Sequence, residues 1–383
     1  MPLFFMHTCC SHLFNARGEI IQDIRLFSLP ATKHSSLNND IDTLVNVILD
    51  IFSFNNCWMD SRLRFRCTAS AYVYNQPRIS RRASHTTASP SDAPHHPDLA
   101  DIRARYRHQG HGTVVLERHS SPGIATIKLQ NPKRRNALSP KMQSELADAL
   151  DALEHEASDP KSNMCGVILM GDDHSFCSGF DLSQAAESFM TSKAGFEMAT
   201  LMHSTLLRLK RLPMISVAAV DGFALGGGAE LSTACDFRVV AKNASIRFVH
   251  LSMGVTTAFG GGTMLTNIVG RSTALRLLLS SPTLHAEEAF ALGLCDQIAQ
   301  DKQVYEESVR LLNTFLYENS GKGSMRHPVQ VVRAMKKVVS MADELPARDS
   351  LEQERDLFQT LWGGEANMAA IRKSPVSKKK DAI

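Results

Sequence analysis

The pattern of apolar and polar positions becomes regular at Thr113. Residues 113–117 and 123–129 alternate or run apolar like two strands of a hairpin, with Ser120, Ser121, Pro122 and Gly123 to make the turn. Ser139 is placed to cap a helix over 140–155, which starts on proline and carries Met142, Leu146, Ala149, Leu150 and Leu153 at helical spacing. Residues 164–170 have the length and composition of a short buried strand. Residues 196–209 have a helical period, and 214–220 form another apolar run, closed off by Pro213 and Gly222. Short apolar strands alternating with helices predict a layered α/β domain. From about residue 260 to 370 the pattern is almost wholly helical, interrupted at 294–299, with helices expected at 305–315 and 329–341.

Residues 1–112 read differently. The stretch 59–90 holds six arginines against one acid, Asp60, and is rich in Ser, Thr and Ala, as organellar transit peptides are. Its position away from the first residue favours a basic linker instead, so a cytosolic protein is expected; a start at Met59 would make it mitochondrial. Six of the fifteen histidines lie between 84 and 119, scattered among Pro, Ser and Arg without metal-ligand spacing.

Composition narrows the function. Of the 383 residues, 43% are hydrophobic and 21% charged, as in an ordinary globular protein. The longest apolar stretches, 43–54 and 212–229, are broken by Asp50 and Asp221 and fall short of a membrane span. His7, His12 and Asn15 interrupt the first twenty residues, so no secretory signal is expected. The net charge of +3 arises before residue 120; beyond it the charges balance, with Arg372, Lys373 and Lys378–Lys380 gathered in a basic tail. Without a basic stripe elsewhere, nucleic acid is not an expected partner. Eight cysteines form no CxxC pair and are too sparse for a disulfide scaffold, which fits a reducing compartment and no metal site.

Two segments could carry chemistry, each where a buried strand ends: 176–182, FCSGFDL, and 220–236, VDGFALGGGAELSTACD. Three successive glycines between an apolar strand and an apolar helix are no linker. At a helix start they let backbone approach a ligand, with free N–H groups and the positive end of the helix dipole facing developing negative charge. A second N–H from the turn Ser178–Gly179–Phe180 would complete a two-donor oxyanion hole.

These motifs, with NPKRRNALS (131–139), CDFRV (235–239), FGGGTML (259–265) and AxxxGL (289–294), in this order, resemble the enoyl-CoA hydratase/isomerase (crotonase) superfamily over roughly 113–371. Segments 235–254 and 354–371 are most similar to its ethylmalonyl-CoA decarboxylase branch. The resemblance implies a ββα-repeat spiral core over 113–300, a helical trimerisation region over 301–372 and the tail 373–383, after a poorly ordered extension over 1–112. It further implies an acyl-CoA substrate, no cofactor apart from the coenzyme A of that substrate, and a homotrimer or dimer of trimers.

Carried over by position, the N–H groups of Phe180 and Gly227 match the oxyanion hole, with Ser178, Gly179 and Gly226 around them. Glu230 matches a catalytic carboxylate of the hydratases, but their second glutamate has no counterpart in 248–254, where Ser252 stands nearby. Hydration needs one group for water and another for the α-proton, so a single acid disfavours it. Decarboxylation of a 2-carboxyacyl thioester needs mainly enolate stabilisation and then a proton, from Glu230 or, as a lesser candidate, His250. Enoyl-CoA hydration or isomerisation and a catalytically silent acyl-CoA binder are the alternatives. Arg134 and Arg135 would meet CoA phosphates or be solvated, and Lys336 and Lys337 would lie on a solvated helix face or reach a neighbouring subunit's CoA. Asp181 and Asp236 would cap backbone N–H groups, and Trp362 would close over the acyl pocket or anchor subunit packing. At 256–259, Thr-Thr-Ala-Phe stands where the decarboxylases carry Pro and Trp, which bears on acyl-chain preference.

Overall fold

A computed structural model describes residues 98–184, 189–320 and 323–373. The transit-like stretch 59–90 and Lys378–Lys380 lie outside the described residues. Helix α1 (Leu99–Tyr106), capped by the Asp98 carboxylate on the Ala100 N–H at 2.9 Å, precedes the antiparallel hairpin of β1 (Thr113–Ser121) and β2 (Ile124–Gln130). In helix α2 (Pro140–Ser158) Ser139 caps as the sequence predicts, accepting from the Met142 N–H, and the five expected apolar positions are buried. Then come β3 (Gly166–Gly171), α3 (Ser192–Arg211) and β4 (Ile215–Val220). Beyond β4 the chain turns a corner at Asp221–Gly222 into β5 (Phe223–Leu225) and α4 (Gly227–Thr233), followed by β6 (Phe237–Ala241) and β7 (Ser245–Arg247).

Helices α5 (Gly261–Val269) and α6 (Arg271–Ser280), strand β8 (Leu284–His285), helix α7 (Ala286–Ala291) and strand β9 (Gln297–Ala299) complete the core. The main sheet has the order β1-β2-β3-β4-β6-β9, parallel from β2 onward; a smaller sheet, β5-β7-β8, is fed by the corners after β4 and β6. The parallel strands read as unbroken apolar runs because both faces are covered: Val167, Ile168, Val217, Ala218, Val239 and Val240 are fully buried. This is the α/β spiral expected of the fold class.

The C-terminal region holds α8 (Val304–Leu316), the hairpin β10 (Tyr317–Ser320) and β11 (Gly323–Arg326), α9 (Val329–Glu344), α10 (Ala347–Leu361) and α11 (Glu365–Lys373). The stretch from 260 is therefore less helical than its pattern: β8 is only two residues long, and β10, Tyr-Glu-Asn-Ser, has no apolar alternation to announce it. Among the described residues no helix is long and apolar enough to cross a membrane.

One boundary differs from the expected extension over 1–112. Within it, α1 buries Ile102 and Tyr106 against Ala147 of α2 and Leu201 of α3. Arg103 pairs with Asp148 and Asp151, and Arg105 with Glu197 at 2.7 Å. The Ser139 hydroxyl also donates to the His111 carbonyl at 2.7 Å, so packed structure begins upstream of Thr113. Lys336 departs from the expectation too: its side chain is 7% exposed and pairs with Asp236, whose other oxygen accepts from the Ser216 N–H and hydroxyl at 2.8 and 2.9 Å. Asp236 thus caps a backbone N–H, as expected, and also neutralises a buried lysine.

Cys165, Cys177, Cys235 and Cys295 are buried free thiols. Burial pushes Cys177 and Cys235 up to about 12 and Cys295 to about 11, and raises Cys165. Since the thiolate is the reactive form, these four should resist alkylation in the folded protein at about pH 8 and react only on unfolding. Peptide mapping after iodoacetamide treatment checks this; fast labelling of Cys177 in folded protein would contradict the packing.

Candidate active site

The two motif segments meet through one register. Cys177 and Ala224 form a parallel bridge: the Cys177 N–H donates to the Phe223 carbonyl at 2.9 Å, and the Leu225 N–H to the Cys177 carbonyl at 3.0 Å. Counting three residues on from each member of the bridge gives Phe180 and Gly227. The turns abut: a methyl on Gly179, itself at φ 94, would stand 3.2 Å from the Gly227 nitrogen. Gly226 caps α4, its own N–H used by the Arg247 carbonyl at 2.9 Å.

Neither N–H that matters is consumed by the scaffold. Phe180 bridges Leu138, but that bridge uses the Gly179 carbonyl and the Asp181 N–H (2.7 and 3.1 Å), so the Phe180 N–H points away from it. Gly227 opens α4, where the first N–H groups have no partner within the helix. Among the described residues neither has an acceptor. Glycine is required at 227 because the Phe259 ring packs on it: a Cβ would lie 2.6 Å from a ring carbon.

One turn along α4, Glu230 is 1% exposed, and both its oxygens are engaged. Oε1 contacts His250 Nε2 at 2.6 Å and accepts from the Ala258 N–H at 3.3 Å; Oε2 accepts from the Phe259 and Gly261 N–H groups, each at 2.8 Å. The carboxylate thereby fastens α4 to the start of α5. His250 is also buried, and its Nδ1 has no partner among the described residues. With the carboxylate accepting from Nε2, Nδ1 is the ring nitrogen left for chemistry. The anchoring role of 258–261 is not legible in the sequence; the FGGG run at a helix start was its only signal.

The other predicted residues divide. The Ser178 N–H donates to the Arg135 carbonyl at 3.0 Å and its hydroxyl to the Arg134 carbonyl at 2.9 Å, so this serine ties the two arginines' loop to the turn that carries Phe180. Both arginine side chains are exposed, with the Arg135 guanidinium 4.8 Å from the Phe223 ring centroid. Asp181 accepts from the Ser183 N–H at 3.0 Å, a local cap as expected, and its second oxygen is buried without a partner among the described residues. Trp362 is 66% exposed and packs against the Phe358 ring at a tilt of 33°, with no described contact to the two turns. An apolar cleft of about 530 Å³ lies at the opposite ends of β4 and β6, between Ile215, Phe237, Phe315 and Val332; Lys336 and Asp236 line it, and Phe180, Gly227, Glu230 and His250 do not.

Comparison with known proteins identifies the family. Residues 119–373 match the family described as Enoyl-CoA hydratase/isomerase. The chain is 38% identical over 296 residues to an ethylmalonyl-CoA decarboxylase of Xenopus laevis, covering 77% of this chain and 94% of that one. It is 38% identical over 265 residues to the Homo sapiens protein of the same name, covering 68% and 81%. Among solved structures, an enoyl-CoA hydratase from Bacillus anthracis shares the fold with a TM-score of 0.59 at 23% identity, over 70% of this chain and 96% of that one. A Geobacillus kaustophilus structure titled as an enoyl-CoA hydratase subunit superposes with a TM-score of 0.56 at 26% identity, over 67% and 94%. Sequence motifs, spiral fold and paired N–H donors together place the chain in the enoyl-CoA hydratase/isomerase family.

Proposed function

We propose that this protein decarboxylates short branched 2-carboxyacyl-CoA thioesters, with ethylmalonyl-CoA and methylmalonyl-CoA as substrates. The observation that carries the reading is the pairing of two N–H donors, unengaged among the described residues, with Glu230, a buried carboxylate whose two oxygens are both already bonded. Such a site is equipped to stabilise an enolate and poorly equipped for the two-acid chemistry of hydration. The names of the vertebrate relatives point the same way.

In this mechanism the thioester oxygen accepts from the Phe180 and Gly227 N–H groups. The carboxylate leaves as CO2, and the electron pair of the broken C–C bond passes to the α-carbon and into the enolate, whose charge grows on the oxygen the donors hold. A proton added at the α-carbon gives the shortened acyl-CoA. Glu230 was the first expectation for that proton; with its oxygens engaged, it is better read as the group that orients His250, which delivers the proton from Nδ1 when both ring nitrogens carry one and afterwards recovers it from water. The loop 256–259 stands against the same carboxylate, so its Thr-Thr-Ala-Phe sequence is the place where acyl-chain preference would be set.

The protein assayed side by side with ethylmalonyl-CoA and crotonyl-CoA should release CO2 and butyryl-CoA from the first and leave the second unhydrated. Hydration of crotonyl-CoA without CO2 release would make it a hydratase, and turnover of neither a silent acyl-CoA binder.

Gly227→Pro removes its N–H outright, and loss of one oxyanion donor lowers kcat by about 10² to 10³ in a variant that circular dichroism shows to be folded. His250→Ala should lower it by about 10² to 10⁴, the range of a general acid. Glu230→Gln keeps the volume but turns a donor toward groups that already donate, and should slow turnover and blur the stereochemistry of deuterium incorporation in heavy water. Full-rate, stereospecific turnover by His250→Ala would return the proton to Glu230.

The exposed apolar side chains of Met335 and Val339 on α9 and Leu351 and Phe358 on α10, with Trp362, support assembly through the C-terminal region. Light scattering at micromolar concentration should give a trimer or hexamer; a monodisperse monomer would refute it.

A further inference from the structure

Helix α1 precedes the segment that matches the family, yet a file of aromatic rings leads from it to the candidate oxyanion hole. The Tyr106 and Phe189 ring centroids are 5.6 Å apart at 44°, and those of Phe189 and Phe180 are 6.1 Å apart at 26°. Both separations fall within the range of attractive aromatic pairs. Phe180 carries one of the two N–H groups of that candidate hole, so a shift of its ring moves the residue whose backbone would meet the acyl carbonyl. The same stretch exposes Leu182, Met190 and Phe196, apolar side chains of the kind that would meet an acyl chain.

The far end of the file is fixed. Tyr106 is 3% exposed, among Ile102, Ala147 and Leu201, and Arg103 and Arg105 clamp its helix to acids of α2 and α3. Its hydroxyl is buried without a partner among the described residues, and burial, helped by the Glu197 charge, pushes it up to about 12. A neutral hydroxyl with nothing to bond contributes no stability; what the position retains is the flat face presented to Phe189.

We propose that Tyr106 is a specificity-determining positioning residue: through Phe189 it holds the Phe180 ring in place and so limits the length of acyl chain accepted beside the oxyanion hole. The inference rests on the acyl-CoA reading of the site but not on decarboxylation. Removing the aromatic face lets the Phe189 and Phe180 rings swing aside and admits longer chains, while a ring without the hydroxyl leaves the limit intact.

The test measures dissociation constants of acetyl-CoA, butyryl-CoA and hexanoyl-CoA by calorimetry on the full chain, with folding checked by circular dichroism. Tyr106→Leu should shift the hexanoyl to acetyl affinity ratio toward hexanoyl by about fivefold or more, a change of about 1 kcal/mol. Tyr106→Phe should keep the wild-type ratio and melt no lower than wild type. Ile102→Ala, which loosens the same cluster but removes no ring from the file, should lower the melting temperature and leave the ratio unchanged. An unchanged ratio in folded Tyr106→Leu, or an equal shift in Ile102→Ala, overturns the proposal, as does failure of the wild type to bind any acyl-CoA. The expected shift in a protein that releases no CO2 from ethylmalonyl-CoA upholds this inference while the decarboxylase reading falls.

Discussion

The site depends on the parallel pairing of Cys177 with Ala224. Hydrogen-bond geometry fixes parallel register, and a slip by one residue would turn every side chain of the shorter partner to the opposite face. Held in this register, two strands arriving from different turns of the spiral end together, and the next turns present Phe180 and Gly227 side by side. The buried runs of the main sheet, β3 and β4 above all, support the segments that bring these two turns together. The close contacts follow from the same demand: Gly179 against the Leu225 carbonyl, and Gly227 against the Phe259 ring, leave no room for a Cβ.

A scaffold of this kind does not choose its reaction. Hydratases in the same family superpose on it, so the chemistry has to reside in what surrounds the two donors. Here the surroundings are economical in charge. Glu230 joins α4 to α5 through three backbone N–H groups and holds His250, so one side chain both braces the helix that carries Gly227 and fixes the orientation of an imidazole. Replacing this one side chain would disturb the brace and the imidazole together, which ties the position of Gly227 to that of the group beside it.

Much of this was legible in the sequence. The apolar runs that became β3 and β4, the Ser139 cap and the two glycine-bearing turns could be read because each signal is local. What escaped reading is carried by distant partners. Lys336 sits on an amphipathic helix where a lysine reads as solvated, and only Asp236, 100 residues earlier, buries it. Helix α1 has just Ile102 and Tyr106 as buried positions, too few for a periodic pattern; its stability comes from acids on α2 and α3. The small sheet consists of strands of two or three residues, shorter than any period can reveal, and the pairing of Glu230 with His250 spans 20 residues of unremarked loop and strand.

Arg333 on α9 reaches back into the core: its guanidinium donates to the carbonyls of Ala157 and Met164 at 2.9 and 2.8 Å, partners 176 and 169 residues earlier in the chain. These carbonyls lie at the C-terminal end of α2 and just ahead of β3, where a helix ending leaves acceptors that need donors. During synthesis the first half of the spiral therefore emerges from the ribosome with this end of α2 unfinished, and its completion waits until almost the whole protein has been made. Contacts of such sequence separation form late and close large loops, so the last helices act as the keystone of the folding sequence.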